Sequence, residues 1–199
     1  MVTLHIWDLP TRIFHWVLAA SVLGLIVSGN IGGNAMLWHF RLGYGVFSLL
    51  LFRAVWGLVG GHWSRWSNLP LGLNSVQRYL LGQAPHTPMA GHNPMGSWSV
   101  VALMFFLSLQ VATGLFSDDE IANMGPLSGL VSGAWVSLAT SWHKTWGQWI
   151  VLSLVALHIV ASLGAFAIGS AFWGALSDIT GLTTALVAAG ALMAAGLLL

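Results

Sequence analysis

Long apolar runs separated by polar segments make up most of the chain. A helix needs about 20 apolar residues to cross the roughly 30 Å hydrocarbon core of a bilayer. Four runs are long enough, and we predict membrane-spanning helices over about Pro10–Gly29, Met36–Val59, Gly96–Phe116 and Leu138–Ile168. A fifth run, Leu182–Leu199, is apolar and just long enough, but it ends without an aromatic or basic anchor.

The polar segments define the rest of the organisation. The connection Gly60–Met95 is rich in proline and histidine, and it is predicted to be a loop with one short helical piece near Val76–Leu81. Asp8 precedes the first apolar run, Pro10 and Arg12 lie at its start, and no small-residue cleavage site follows it. We therefore interpret that run as a retained span and not as a signal peptide.

Composition agrees with a membrane protein and excludes several classes. Of 199 residues, 57% are hydrophobic and 6% are charged, whereas an ordinary soluble domain has about 25% charged residues. The net charge of +1 leaves no basic stripe for nucleic acid. The chain has no cysteine, which excludes disulfides, thiolate metal ligands, iron-sulfur clusters and covalently attached haem.

Basic residues predict the orientation of the spans. By the positive-inside rule, the amino terminus and the long loop face the cytoplasm. The residues that carry this prediction are Arg12, Arg53, Arg65 and Arg78, against Asp118, Asp119 and Glu120 in the loop after the third span. Arg41 and Lys144 depart from the pattern, since both would lie near the opposite face.

Four histidines lie inside the predicted spans or at their mouths, where an ionisable side chain indicates function. With the amino terminus inside, His15 lies about one turn from the cytoplasmic face, and His39 and His143 lie near the periplasmic face. His158 follows His143 by 15 residues, a rise of roughly 22 Å and a rotation that returns to within roughly 60° of the same face. The alternation of spans therefore pairs His39 with His143, and His15 with His158.

Two imidazoles per site suit haem iron better than zinc, which normally takes four protein ligands. A haem supplies four equatorial nitrogens, so two histidines complete its coordination and leave no open position for a substrate. The predicted chemistry is one-electron transfer.

Small residues follow each histidine by four positions, on the same helical face. A flat macrocycle needs such clearance, although small residues are also common wherever membrane helices pack together. These residues are Ala19, Gly43, Gly147 and Ser162.

Arg41 and Lys144 lie beside His39 and His143. We predict that they face haem propionates, and the alternative is that both extend to lipid headgroups. Arg12 and Arg53 have the same two interpretations at the cytoplasmic level.

The remaining histidines lie outside the spans. His5, His62 and His86 are predicted to be solvated. His92 is predicted to be part of a helix-entry turn, and the alternative is a proton relay at a quinone site.

Several short strings then resemble the bacterial cytochrome b561 family, which is similar to the cytochrome b subunits of nickel-iron hydrogenases. They are WDLPTRIFHW (7–16), WHFRLGY (38–44), LLFRAVWGLVG (50–60), GHNPMG (91–96), ATGLFSDDE (112–120) and the HK pair at 143–144. The resemblance covers about residues 7–167. It implies an all-α, integral membrane four-helix bundle that binds two haem b groups, with ligands matching His15, His39, His143 and His158.

The resemblance also implies a function. Members of the family exchange electrons between the quinone pool and a periplasmic redox partner across the bacterial inner membrane. The alternative is an electron-conducting anchor subunit of a periplasmic dehydrogenase or hydrogenase, and enzymatic turnover by the chain itself stays open. Quinone, a periplasmic c-type cytochrome, a dehydrogenase or hydrogenase subunit and membrane lipid are the expected partners.

The carboxyl end departs from the family pattern, because an apolar segment replaces the basic tail that we expect there. We divide the chain into a di-haem domain, residues 1–168, and an extension, residues 169–199, whose fifth helix could pack on the bundle, form a homodimer or dock a subunit.

Two rival classes of function are a proton-coupled transporter and a passive anchor without haem. The absence of carboxylates within the first four spans counts against the transporter, and the retained histidine pairs count against the passive anchor.

Overall fold

The structure is a computed structural model that describes residues 7–81, 83 and 93–188, with the backbone alone described at residue 80 and over residues 161–172. Helices account for 83% of the structure. This content confirms the all-α class that the apolar runs predict.

Helix α1, Leu9–Ile31, begins at a well-formed amino-terminal cap. The carboxylate of Asp8 accepts a hydrogen bond from the backbone N–H of Thr11 at 3.0 Å, and Pro10 occupies the first turn, where its missing N–H costs nothing. The helix ends at Gly32, whose φ of +68° is accessible to glycine at little cost. A short 3₁₀ turn, Gly33–Ala35, then reverses the chain into helix α2, Met36–Val59.

The long connection after α2 holds two 3₁₀ turns, His62–Ser64 and Trp66–Asn68, and helix α3, Leu73–Leu80. The short helical piece predicted near Val76–Leu81 is thus present, and it begins three residues earlier. Helix α4, Pro94–Phe116, starts with Asn93 as its cap, since the Asn93 side chain accepts from the N–H of Gly96 at 2.6 Å.

An acidic loop joins α4 to the last helices. One carboxylate oxygen of Asp119 accepts backbone N–H groups from Ile121, Ala122 and Asn123. The Asn123 side-chain amide donates to the other oxygen at 2.7 Å. These bonds, the Asn123 amide foremost, hold the pKa of Asp119 well below its usual value. The charge therefore serves to close this loop.

Helix α5, Gly133–Ser141, continues through a π-helical turn, Trp142–Trp146, into helix α6, Gly147–Thr180. The predicted fourth span, Leu138–Ile168, falls within this continuous helical segment. Of the predicted fifth span, residues 182–188 are helical, and residues 189–199 lie outside the described part of the chain.

Three described helices are long and apolar enough to cross a membrane, namely Leu9–Ile31, Gly33–Val59 and Pro94–Phe116. They match the first three predicted spans. Large apolar side chains on these helices point outward: Trp16 is 72% exposed and Phe105 is 61% exposed. An apolar surface of this extent suits contact with lipid.

The chain divides into two compact units, residues 1–158 and residues 159–199. The core of the first unit is a cluster of buried aliphatic side chains contributed by α2, α4 and α6, namely Val46, Leu50, Leu107 and Val151. Leu18, Val22 and Leu25 of α1 pack against this cluster, so four helices surround it.

Candidate functional site

The four histidines of the spans form two pairs in the structure. The ring centroids of His39 and His143 are 6.0 Å apart, and those of His15 and His158 are 6.3 Å apart. The structure therefore brings together the same residues that the alternation of spans predicts. Both pairs lie in the first unit, at two levels separated by the 15 residues that lead from His143 to His158.

His39, on α2, is held by the end of α1. Its Nδ1 lies 3.0 Å from the carbonyl oxygen of Leu25 and 3.3 Å from Oγ of Ser28. The Ser28 hydroxyl donates its single proton to the carbonyl of Gly24 at 2.6 Å, so its oxygen is free to accept from Nδ1. Gly29 gives the ring its room, because a Cβ at this position would lie 3.1 Å from the imidazole.

His143 is held by α4. Its Nδ1 donates to the carbonyl oxygen of Gln110 at 2.9 Å, with Oγ1 of Thr113 at 3.5 Å. The side-chain amide of Gln110 donates in return to the carbonyl of His143 at 2.7 Å. A Cβ at Gly114 would lie 2.8 Å from Cε1 of His143, so a glycine is required where the ring crosses α4.

The π-helical turn Trp142–Trp146 contains both His143 and Lys144. Such turns are rare and often lie at functional sites. Because a π turn accommodates one extra residue, the rotation from His143 to His158 corresponds to roughly 14 α-helical steps, about 40° short of whole turns. The sequence estimate of roughly 60° assumed a regular α-helix and missed this turn.

The second pair has less support. Nδ1 of His158 lies 2.9 Å from Oγ of Ser99 on α4. The Ser99 hydroxyl donates to the carbonyl of Gly96 at 2.8 Å, so Ser99 accepts from His158. His15 is exposed, and within the described part of the chain it makes a ring contact with Trp16 but no hydrogen bond.

These contacts determine what the rings can bind. A carbonyl oxygen can only accept, so Nδ1 of His39 and of His143 carries the proton and Nε2 keeps its lone pair. The Ser99 contact imposes the same tautomer on His158. A histidine that binds a metal usually donates a hydrogen bond through one ring nitrogen and binds the metal through the other. Among the described residues, no third histidine or carboxylate joins either pair.

The glycines predicted to give clearance behave differently from each other. A Cβ at Gly43 would enter open space, in agreement with a notch beside His39. Gly147 is buried, and the side chain of Gln110 fills the space that its missing Cβ leaves. The clearance expected at Gly147 is therefore taken by an amide of the protein. Ala19 is exposed on α1, and the side chain of Ser162 lies outside the described atoms.

The predicted cations are exposed and close to the first pair in sequence. The guanidinium of Arg41 lies over the Trp38 ring, 5.1 Å from its centroid. Lys144 is exposed on the π turn. Both are free to reach an anion or a headgroup.

Arg53 differs from the other arginines because it is buried, with only 4% of its surface exposed. Its guanidinium lies 3.9 Å from the centroid of the Trp66 ring, and its Nη1 has no hydrogen-bond partner. Trp66 packs against Gly57 and donates to the carbonyl of Ala54 at 3.2 Å. Arg12, in contrast, is exposed.

Asp8 connects α1 to the end of α2 and the segment that follows it, a role that the sequence did not reveal. Its Oδ2 accepts from Nε1 of Trp56 and from Oγ of Ser64, each at 3.1 Å. Partial burial raises the pKa of Asp8, but hydrogen bonds from Thr11, Trp56 and Ser64 outweigh burial and leave the pKa below its ordinary value.

The other predicted histidines lie outside this arrangement. His62 contacts the side-chain amide of Asn68 in an exposed turn, as a solvated residue would. His5, His86 and His92 lie outside the described residues.

Sequence reasoning missed the partners of the imidazoles, namely Ser28, Ser99, Gln110 and Thr113. Their common signal is a polar side chain within an apolar span. Such side chains need hydrogen-bond partners in lipid.

The profile of a family described as "Prokaryotic cytochrome b561" matches residues 6–170. A probable Ni/Fe-hydrogenase B-type cytochrome subunit of Bradyrhizobium diazoefficiens is 24% identical over 81% of this chain and 78% of its own length. A probable Ni/Fe-hydrogenase 1 B-type cytochrome subunit of Escherichia coli is 25% identical over 82% of this chain and 83% of its own length. No solved structure matches the chain.

Proposed function

The chain belongs to the prokaryotic cytochrome b561 family, and on this premise we propose that it is a two-haem electron carrier of the bacterial inner membrane. The family and the apolar helices support a multi-pass membrane b-type cytochrome in electron transfer. The proposal adds the ligands: His39 and His143 for one haem b, and His15 and His158 for the other.

The distance between the paired rings carries this proposal. A metal-to-imidazole bond measures about 2 Å, and a ring centroid lies roughly 1 Å behind its ligating nitrogen. Two imidazoles on opposite sides of one iron therefore have centroids roughly 6 Å apart. The observed separations of 6.0 Å and 6.3 Å fit this requirement.

The residues around the rings prepare them for this role. The carbonyls of Leu25 and Gln110 and the hydroxyl of Ser99 hold three Nδ1 atoms, so Nε2 of each ring is presented as a ligand. Bound in this way, each haem would supply one-electron transfer with no open coordination position. The protein contributes fixed ring orientation, an apolar surrounding and exclusion of competing ligands.

The groups beside the His39/His143 pair fit a large anionic cofactor. Nothing lies within 4 Å of the point where a Cβ of Gly43 would be, so this side of α2 is open beside His39. Arg41 and Lys144 offer positive charge to propionates at the same level. Arg53, buried with an unpartnered Nη1, offers the same chemistry toward the level of His15.

We propose that the chain carries electrons between the quinone pool and a periplasmic redox partner, with its amino terminus in the cytoplasm. The positive-inside distribution of Arg12, Arg65 and Arg78 supports this orientation. In this arrangement the His39/His143 pair lies near the periplasmic face.

A second candidate is an electron-conducting subunit of a periplasmic hydrogenase complex. The observation that favours it is that the relatives in Bradyrhizobium and Escherichia coli are named as hydrogenase cytochrome subunits. Quinol oxidation by the purified chain alone would support the independent carrier. Turnover only when a hydrogenase subunit is added would support the second candidate.

The test of the two-haem assignment is haem stoichiometry in the purified protein. Dithionite reduction should give a haem b alpha band, and chemical analysis should give two haems per chain. We expect His143→Ala and His158→Ala each to remove one haem and to leave the other. His62→Ala, in an exposed turn, is the control. The assignment is wrong if either site variant keeps both haems.

A further inference from the structure

Gln110 and His143 are linked by two hydrogen bonds in opposite directions. The His143 ring donates through Nδ1 to the Gln110 backbone carbonyl at 2.9 Å, and the Gln110 side-chain amide donates to the His143 carbonyl at 2.7 Å. The first bond depends only on the backbone of α4, whereas the second needs the glutamine side chain. The geometry points to Gln110 as the positioning residue of the His39/His143 site, through its hold on the π turn that carries His143.

The shape of α6 supports this role. Gly147 is the first residue after the π turn, it is buried, and a Cβ there would overlap Oε1 of Gln110. The helix thus has no side chain at the point where the amide enters. An amide within an apolar span is costly unless its groups are used, and here its N–H group binds the π turn.

The amide also has a second contact available. Oε1 of Gln110 and Nε1 of Trp142 are buried, neither has a partner, and both lie within 3.0 Å of the point where a Cβ of Gly147 would be. One is an acceptor and the other a donor. A small movement of either side chain brings them into a hydrogen bond that would tie Trp142, the first residue of the π turn, to α4.

The π turn decides where His143 faces. If the same residues formed a regular α-helix, His143 would lie about 100° further round the axis of α6. Such a rotation takes the His143 ring away from His39. Loss of the Gln110 amide should permit a small part of this rotation, as far as the bond from Nδ1 of His143 to the Gln110 carbonyl allows, and that bond keeps the ring in the same tautomer.

This inference rests on the proposed haem at the His39/His143 pair, and its test keeps the two apart. Gln110→Met removes the amide and preserves the length of the side chain. Ser108→Ala is the matched control on α4, since the Ser108 hydroxyl is exposed and bonds to the carbonyl of Met104 in its own helix. The readouts on purified holoprotein are haem stoichiometry, the ferric electron paramagnetic resonance (EPR) spectrum and a potentiometric titration.

We expect Gln110→Met to retain two haems, while the midpoint potential and the ferric signal of one haem shift and those of the other stay unchanged. The shifted signal should be the one that His143→Ala removes. Ser108→Ala should change neither. Two haems with unchanged potentials and spectra in Gln110→Met would overturn the inference and leave the proposed function intact, whereas a wild-type protein without two haems would overturn both.

A second variant covers the case in which Gln110→Met does not accumulate in the membrane. Gly147→Ala keeps the amide but displaces it from its place on α6. It should shift the same haem signal as the glutamine substitution. Unchanged signals in Gly147→Ala would also overturn the inference.

Discussion

Gly114→Ala should weaken haem binding at the His39/His143 pair alone. The Cβ that this change adds would lie 2.8 Å from Cε1 and 3.2 Å from Nδ1 of His143. These atoms belong to a rigid ring that the Gln110 carbonyl already holds at 2.9 Å. The ring cannot rotate away without losing that bond, so the collision must displace the imidazole or separate α4 from the π turn.

The magnitude follows from the cost of overpacking. Extra methyl groups in a well-packed region cost typically about 1–3 kcal/mol. If this strain appears in the haem-bound state, the affinity at this site falls by roughly 5- to 150-fold, since about 1.4 kcal/mol is a factor of ten. Gly29→Ala should have a milder effect of the same kind, because its Cβ would lie 3.1 Å from the His39 ring.

The assay is titration of haem into the purified apoprotein, or haem loss to an acceptor, followed by the optical band of each site. Gly45→Ala is the control, because a Cβ at that position of α2 meets nothing within 4 Å. We expect the control to retain both haems with wild-type affinity. Equal affinities for both sites in Gly114→Ala and in the wild type would refute the reasoning that this glycine makes room for the ligand.

Three further predictions concern the remaining contacts. Ser99→Ala removes the acceptor for Nδ1 of His158, so we expect roughly 10- to 100-fold weaker haem binding at that site, and unchanged haem retention would contradict it. The ring planes of one pair differ by 85° and those of the other by 44°, so the ferric EPR spectrum should contain two distinct low-spin signals, not one. Hydrogen bonds lower the pKa of Asp8 from 3.8, so its stabilisation is complete above the unfolded-state pKa near 3.8 and is lost as the pH falls through the lower folded-state value. In Asp8→Asn, the midpoint of thermal unfolding in detergent should no longer fall over this acidic range. A pH profile like that of the wild type would count against the role of the carboxylate.

The sequence predicted the helices and the pairing because both depend on features that are visible in a linear pattern. Span length follows from the thickness of a bilayer, and alternating span direction places His39 and His143 at the outer level and His15 and His158 at the inner level. These are consequences of topology. They needed no knowledge of how side chains pack.

The surroundings of the histidines could not be predicted in the same way. The π turn at Trp142–Trp146 has no sequence signature, and it depends on a contact between Gln110 and a carbonyl 33 positions later. The clearance expected at Gly147 is used by that glutamine, whereas Gly29 and Gly114 provide the space against the rings. The i+4 spacing rule considers one helix, but these clearances are set between helices.

Arg53 shows the same difference for charge. From the sequence alone, a contact with lipid headgroups and a contact with a haem propionate explain Arg53 equally well. The structure buries the guanidinium under Trp66 with Nη1 unpartnered. Asp8 interacts with it electrostatically, but a buried cation is costly until its hydrogen-bonding groups are also satisfied. Burial therefore makes a headgroup contact the weaker of the two explanations, because lipid would have to reach beneath the indole.

The two histidine pairs differ in how firmly the protein holds them. The rings of His39 and His143 are each held by a backbone carbonyl and each pack against a glycine. These four contacts come from backbone atoms, which have no side-chain rotamer to change. His158 depends on the hydroxyl of Ser99, a side chain that can rotate, and His15 is exposed. A ligand set held by backbone keeps its geometry through a change in iron charge, whereas one held by side chains can adjust to it. The structure thus gives one end of the proposed electron path a rigid site and the other end an adaptable one.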